Sequence, residues 1–169
     1  MIEILSNAAL ATVQDLGRIG AMQWGVGTAG AMDGLALSAG NLLVGNVENM
    51  AALEIPVFPF KLRFHADMLI AITGADCAAT LDDMPIFPWS RLHVKAGQTL
   101  TYSLPQPGAW RNSRAYLCVA GGIDVPLALG SRSTQMRGSF GGLEGRALQQ
   151  GDKLPVGLDR KSTRLNSSH

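Results

Sequence analysis

The chain has 169 residues, 47% of them hydrophobic and 16% charged, which supplies one domain's core and excludes the composition of a disordered segment. Its formal charge of +1 offers no surface that would attract a polyanion, so neither nucleic acid nor an anionic membrane is an expected partner. Even that sign rests on the chain's end: Arg160, Lys161 and Arg164 outnumber Asp159 there, and residues 1–158 carry 11 basic and 12 acidic side chains.

Short strands dominate the chain. Residues 2–5, 10–13, 51–55, 61–64, 68–73, 78–81, 92–95, 99–103 and 115–120 read as strands separated by Gly, Pro, Asp or Asn. Lys61-Leu62-Arg63-Phe64 and Leu92-His93-Val94-Lys95 alternate with a period of two, turning one face to a core and one to water. One helix is expected over 34–44. Asp33 stands as its N-cap, Leu35, Ala39, Leu42 and Leu43 form its apolar side, and Gly45 takes the left-handed C-terminal place. Many short strands with one helix predict a mainly β sandwich or barrel.

Cys77 and Cys118 are the only cysteines and have no CxxC spacing, which points to a reducing compartment. The first residues lack a basic region, and no apolar run reaches bilayer length, so a soluble, cytoplasmic protein is expected. From Asp159 onward the chain turns polar and aperiodic. Asp-Arg-Lys-Ser-Thr-Arg-Leu-Asn-Ser-Ser-His also looks like the one-frame translation of a common DNA-sequencing adapter, the alternative being a natural polar C-terminal extension. Residues 159–169 are therefore expected to be a non-native tail, with residues 1–158 the N-terminal part of a longer domain.

Three stretches offer chemistry. Gly25-Val26-Gly27-Thr28-Ala29-Gly30 matches G-x-G-x-x-G, but no buried strand precedes it, so a tight turn or a close backbone approach to a ligand is expected. Asp15, Arg18 and Asp33 flank that stretch. An arginine there can grip a carboxylate or phosphate while a carboxylate orients or deprotonates an amide; Asp33 can equally be a simple cap. Gly130-Ser131-Arg132-Ser133-Thr134 supplies hydroxyls, backbone donors and a guanidinium suited to an oxyanion or phosphate, or else forms a polar surface turn. His65 and His93 lack metal-ligand spacing, so no metal is expected. Cys77 reads as a buried strand cysteine, and Trp24, Trp89 and Trp110 as packing residues.

Several segments, taken in order, resemble a known family. They are Thr12-Val13-Gln14-Asp15-Leu16-Gly17-Arg18, Gly30-Ala31-Met32-Asp33, Leu43-Val44-Gly45-Asn46 with Leu53-Glu54, and Ile72-Thr73-Gly74-Ala75-Asp76. Ala96-Gly97-Gln98, Arg114 through Pro126 with its Gly121-Gly122-Ile123-Asp124 turn, Gly130 through Thr134, Gly145-Arg146 and Gly151-Asp152 continue the series. Together they resemble the biotin-dependent carboxyltransferase-like family, which includes the C subunit of 5-oxoprolinase, KipA and allophanate hydrolase subunit 2.

The resemblance implies a cyclophilin-like β-barrel and a full protein about twice as long as residues 1–158. It implies ATP-dependent hydrolysis of the 5-oxoproline lactam to glutamate, in which the partners are a KipI-like B subunit plus the A subunit. Phosphorylating the lactam oxygen would turn a poor electrophile into one with a leaving group. On that reading Arg18 and Arg132 clamp anions. Ser131, Ser133, Thr134 and the Gly30 backbone line phosphate or oxyanion, and Asp15 or Asp33 orients substrate or handles a proton. Two alternatives remain: carboxyl transfer from a biotin carrier to urea, and a KipA-like regulator that binds a KipI-like partner without turnover. In the enzyme readings the truncated chain alone is expected to be inactive.

Overall fold

In chain order the strands are β1 (Ile2–Ile4), β2 (Thr12–Gln14), β3 (Ala52–Ile55), β4 (Phe60–Phe64), β5 (Met68–Gly74) and β6 (Thr80–Leu81). They continue as β7 (Met84–Pro85), β8 (Ser90–Val94), β9 (Thr99–Tyr102), β10 (Ala115–Val119) and β11 (Lys153–Leu154). A 3₁₀ turn, Ala21–Trp24, and the helix α1, Gly34–Leu43, lie between β2 and β3. This computed structural model describes residues 1–6, 10–104, 107 and 114–159. Trp110 and residues 160–169 of the expected tail lie outside them.

The strands form two antiparallel sheets, ordered β11-β1-β4-β9-β6-β7 and β2-β3-β10-β5-β8. Side-chain alternation explains how they face each other. In β4, Phe60, Leu62 and Phe64 are buried while Lys61 and Arg63 are exposed. Register then stacks like with like: Leu62 lies opposite Ile4 and Leu100 in one sheet, and Leu53 opposite Val13 and Leu117 in the other. These inward faces make one apolar core, with Ile2, Ile55, Ile70, Ile72 and Val119 also in it. Burying each such side chain contributes about 1.5–3 kcal/mol. The mainly β, barrel-like architecture is the one expected.

The five-stranded sheet has a second buried face. The residues of opposite parity, Ala52, Ala71, Tyr116 and Cys118, pack with Ala36 and Leu37 of α1. Here the helix was expected to bury Leu35, Ala39, Leu42 and Leu43, and the structure corrects that. Ala36, Leu37, Gly40 and Asn41 are the buried positions, and Leu35 and Leu42 are exposed. The reason is steric. A Cβ on Gly40 would stand 2.6 Å from the Cys118 sulfur, so only a small-residue stripe lets α1 lie this close to β10. Asn41 is buried because its side-chain amide donates to the carbonyls of Glu48 and Met50.

Both helix ends follow the sequence. Asp33 Oδ1 accepts from Ala36 N at 3.0 Å, and Gly45 adopts φ 80° just past the C-cap Val44. Strand β2 starts at Thr12 rather than residue 10, because Leu10 sits at φ 66°, outside extended backbone. The two-residue strands β7 and β11 were not anticipated; they are too short to show a period. Trp24 was expected to pack in the interior, yet it is 77% exposed at the end of the 3₁₀ turn.

Candidate functional site

The chain leaves β2 at Asp15 and returns to α1 at Asp33, and two buried carboxylates fix this excursion. The first is Asp15, 3% exposed. Its Oδ1 accepts from Gly17 N at 2.8 Å and from the Ser131 and Ser133 hydroxyls, each at 2.6 Å. Its Oδ2 accepts from Arg132 N at 2.8 Å. The serine oxygens are used twice: Ser133 Oγ accepts from Asp15 N, and Ser131 Oγ accepts from Ser133 N. Thr134 donates from its hydroxyl and its backbone N to Val13 O, both at 2.9 Å. The segment 131–134 is thereby stitched to the end of β2.

Arg18 completes the knot. It is 1% exposed, donates from Nε to Ala128 O at 2.9 Å and from a terminal nitrogen to Ser133 O at 2.6 Å, and lies 4.7 Å over the Phe140 ring. Burial pushes its pKa down and the nearby Asp15 charge pushes it back up. Glycine is required at two points. Gly17 sits at φ 100° with its Cβ position 2.8 Å from Thr28 O, and a Cβ on Gly141 would collide with Ser133 O and the Arg18 guanidinium.

The second carboxylate is Glu54, 8% exposed in the middle of β3. Register places Thr12, Glu54, Tyr116 and Thr73 in one row across β2, β3, β10 and β5. Glu54 Oε2 accepts from the Tyr116 hydroxyl at 2.7 Å and from Met32 N at 2.8 Å. Arg114 Nε stands 3.5 Å from Oε1. The Tyr116 oxygen also accepts from Asp33 N at 2.9 Å, and Thr73 donates to Ala36 O at 2.7 Å. Burial, and then the hydrogen bond to Glu54, push the Tyr116 phenol up, so it remains a donor. This polar row anchors the start of α1.

The structure thus brings Asp15, Arg18, Ser131, Arg132, Ser133 and Thr134 together. Asp33 is separate from that knot: its carboxylate caps α1 and its backbone belongs to the Glu54–Tyr116 row. Gly30 donates from N to Gln14 Oε1 at 3.1 Å and so lies along β2, between the two groups. Arg132 is half-buried and donates from Nε to Val125 O at 2.8 Å. Glu54, Tyr116 and Arg114 were not singled out as functional residues. The available signal was a lone carboxylate in the apolar run Ala52-Leu53-Glu54-Ile55, which demands a buried donor. Cys77 and Cys118 are both buried, and desolvation pushes each thiol up to about 12. Among the described residues no group of three or more His, Cys, Asp or Glu side chains gathers to hold a metal.

The sequence matches the family described as carboxyltransferase domain, subdomain A and B, over residues 24–168. The chain belongs to that family. It is 47% identical over 163 residues to the C subunit of 5-oxoprolinase from Escherichia coli K12, covering 96% of this chain and 51% of that protein. To the C subunit of 5-oxoprolinase from Haemophilus influenzae it is 46% identical over 159 residues, covering 94% and 50%. The chain therefore spans about half the length of these curated relatives. Among solved structures, the urea amidolyase of K. lactis superposes with a TM-score of 0.84 at 40% identity, over 92% of this chain and 9% of that one.

Proposed function

We propose that this family member is the N-terminal part of a 5-oxoprolinase C subunit, working with the A and B subunits in ATP-dependent hydrolysis of 5-oxoproline to glutamate. The observation that carries the reading is proportion as well as identity. The chain aligns at 46–47% with half of two separate proteins named as that subunit, whereas the urea amidolyase of Lachancea kluyveri matches at 40% through 8% of its length.

The site chemistry supports a division of roles. Asp15, Ser131, Ser133 and Thr134 spend their hydrogen bonds on one another and on backbone, so they position the segment that carries Arg132. Arg132, tethered through Nε and half-buried, meets the substrate carboxylate or a transferring phosphoryl group. Arg18 holds the same segment from beneath. Asp33 caps α1, apart from that segment, and the Gly30 backbone is tied to the segment through Gln14, which also donates to Thr134 O. ATP supplies the phosphoryl group that activates the lactam oxygen and is shared with the partner subunits.

The test uses the full-length protein assembled with the A and B subunits. Expected is ATP-dependent loss of 5-oxoproline, reduced by about a hundredfold or more in Arg132→Ala. The second reading, the carboxyltransferase part of a biotin-dependent urea carboxylase, is favoured by the K. lactis superposition. An intact assembly that spares 5-oxoproline while carboxylating urea from a biotin carrier would overturn the first reading in favour of the second.

A further inference from the structure

Between the two sheets, where β5 passes into β6, lies a small cavity. Its walls include Ile72 of β5, Ala75, Cys77 and Ala79 of the crossover to β6, and Tyr102 of β9 in the other sheet. All five belong to the inter-sheet core. Tyr102 is 1% exposed, and among the described residues no group is hydrogen-bonded to its hydroxyl. A phenol without a partner is out of place in such a core, because burying an unpaired hydroxyl is costly and native folds rarely leave one.

Size and charge narrow the partner. The cavity leaves about 10 Å³ for the centre of a water-sized sphere. One water needs about 10–15 Å³ of such space, so nothing larger fits. Desolvation pushes the Tyr102 phenol well above its ordinary range, so it stays neutral and gives an ion no charge to meet. It still offers one donor and two lone pairs. Further acceptors come from the backbone of the same walls. Cys77 O accepts from Ser103 N at 2.7 Å, Ala79 O from Ile86 N at 2.9 Å and Ile72 O from Trp89 N at 2.7 Å. Each of these carbonyls keeps a second lone pair. Wholly apolar cavities stay dry, whereas a polar one with about 2–4 partners holds water.

We propose that this cavity is a binding site for a single structural water, which joins the Tyr102 hydroxyl to main-chain carbonyls of β5 and the 75–79 crossover. The water ties the two sheets together at that end of the core. Its reach extends to the helix. Thr73 also lines the cavity, and its side chain donates to Ala36 O, so the water steadies the strand from which the first turn of α1 is held. The site is independent of the oxoprolinase reading and stands or falls without it.

The test is a high-resolution crystal structure of the full-length protein from its native locus, together with the melting temperature of Tyr102→Phe, which keeps the ring and removes only the hydroxyl. Expected is an ordered water within about 3.2 Å of Tyr102 Oη and of at least one of the three carbonyls. Tyr102→Phe should then melt about 1–3 °C below the parent, because it deletes a satisfied hydrogen bond. A dry cavity with a variant as stable as the parent, or more stable, would overturn the site. So would a hydroxyl bonded directly to a protein group, including one from the later half of the full-length chain. A water found in place with no change in melting temperature would overturn its role as a tie between the sheets.

Discussion

Asp15 and Glu54 are both buried carboxylates, and the fold satisfies them in different ways. Asp15 meets only neutral donors: two serine hydroxyls and two backbone amides drawn from residues 17 and 131–133. Glu54 divides its oxygens, one taken by Tyr116 and Met32 N and the other facing the Arg114 guanidinium. The difference is one of what each carboxylate organises. The neutral-donor site joins segments more than a hundred residues apart in sequence, while the Glu54 row fixes the start of one helix.

The comparison predicts an order of stability effects. Asp15→Ala should be the most damaging substitution. It strands two hydroxyls and two amides and leaves Arg18 buried without the carboxylate beside it. Removing one member of such a buried charged network costs about 3–5 kcal/mol. Urea unfolding should show the corresponding fall in midpoint. A loss below that of Glu54→Gln would break the distinction between the two sites.

Gly40→Ala is expected next, at about 3 kcal/mol, the upper end of the overpacking range, because the new methyl must displace Cys118 Sγ or lift α1 from the sheet. It separates packing from polar anchoring on the same helix. Cys118 is the fitting second site: Cys118→Gly should recover part of the Gly40→Ala loss, and a strictly additive pair would remove the steric account. Tyr116→Phe then isolates the polar row. It removes the donor to Glu54 and the acceptor for Asp33 N, and should cost about 1.5–3 kcal/mol. Combined with Glu54→Gln it should be less than additive, since the amide removes the charge that strengthens the same hydrogen bond.

Some of this organisation could be read from the residues alone. The period of two in β4 and the Asp33 cap depend on neighbours, and both are as expected. The buried side of α1 was misjudged because the pattern was phased on Leu35 and Leu42, whereas the close approach of Gly40 to Cys118 turns Ala36 and Leu37 inward, with Leu43 only partly buried. The grouping of Asp15 with Ser131 spans 116 residues, and no spacing rule reaches that far. Glu54 was present in the sequence as an anomaly in an apolar strand, but its partner Tyr116 follows only from the register of β3 against β10.

Asp152 gives the smallest effect and the control for the other two, since it meets a cation near the surface. It accepts from both terminal nitrogens of Arg146, at 2.7 and 2.9 Å, and from Gln149 N at 2.7 Å. The Arg146 hydrogen bonds are the main cause holding its pKa below the ordinary carboxylate range, with burial acting against them. A depressed folded-state pKa contributes stability above the unfolded value and loses it as pH falls through the folded value. Asp152→Asn should therefore cost at most about 1 kcal/mol at neutral pH, because the pair is solvent-screened. That difference from the parent protein should shrink below about pH 4, where Asp152 of the unfolded chain protonates, and vanish once the folded carboxylate protonates as well. Melting temperatures of the two proteins across about pH 2–7 measure it. A gap that persisted undiminished at the acid end would mean that Asp152 acts by shape and neutral hydrogen bonding, as a member of the Asp15 type.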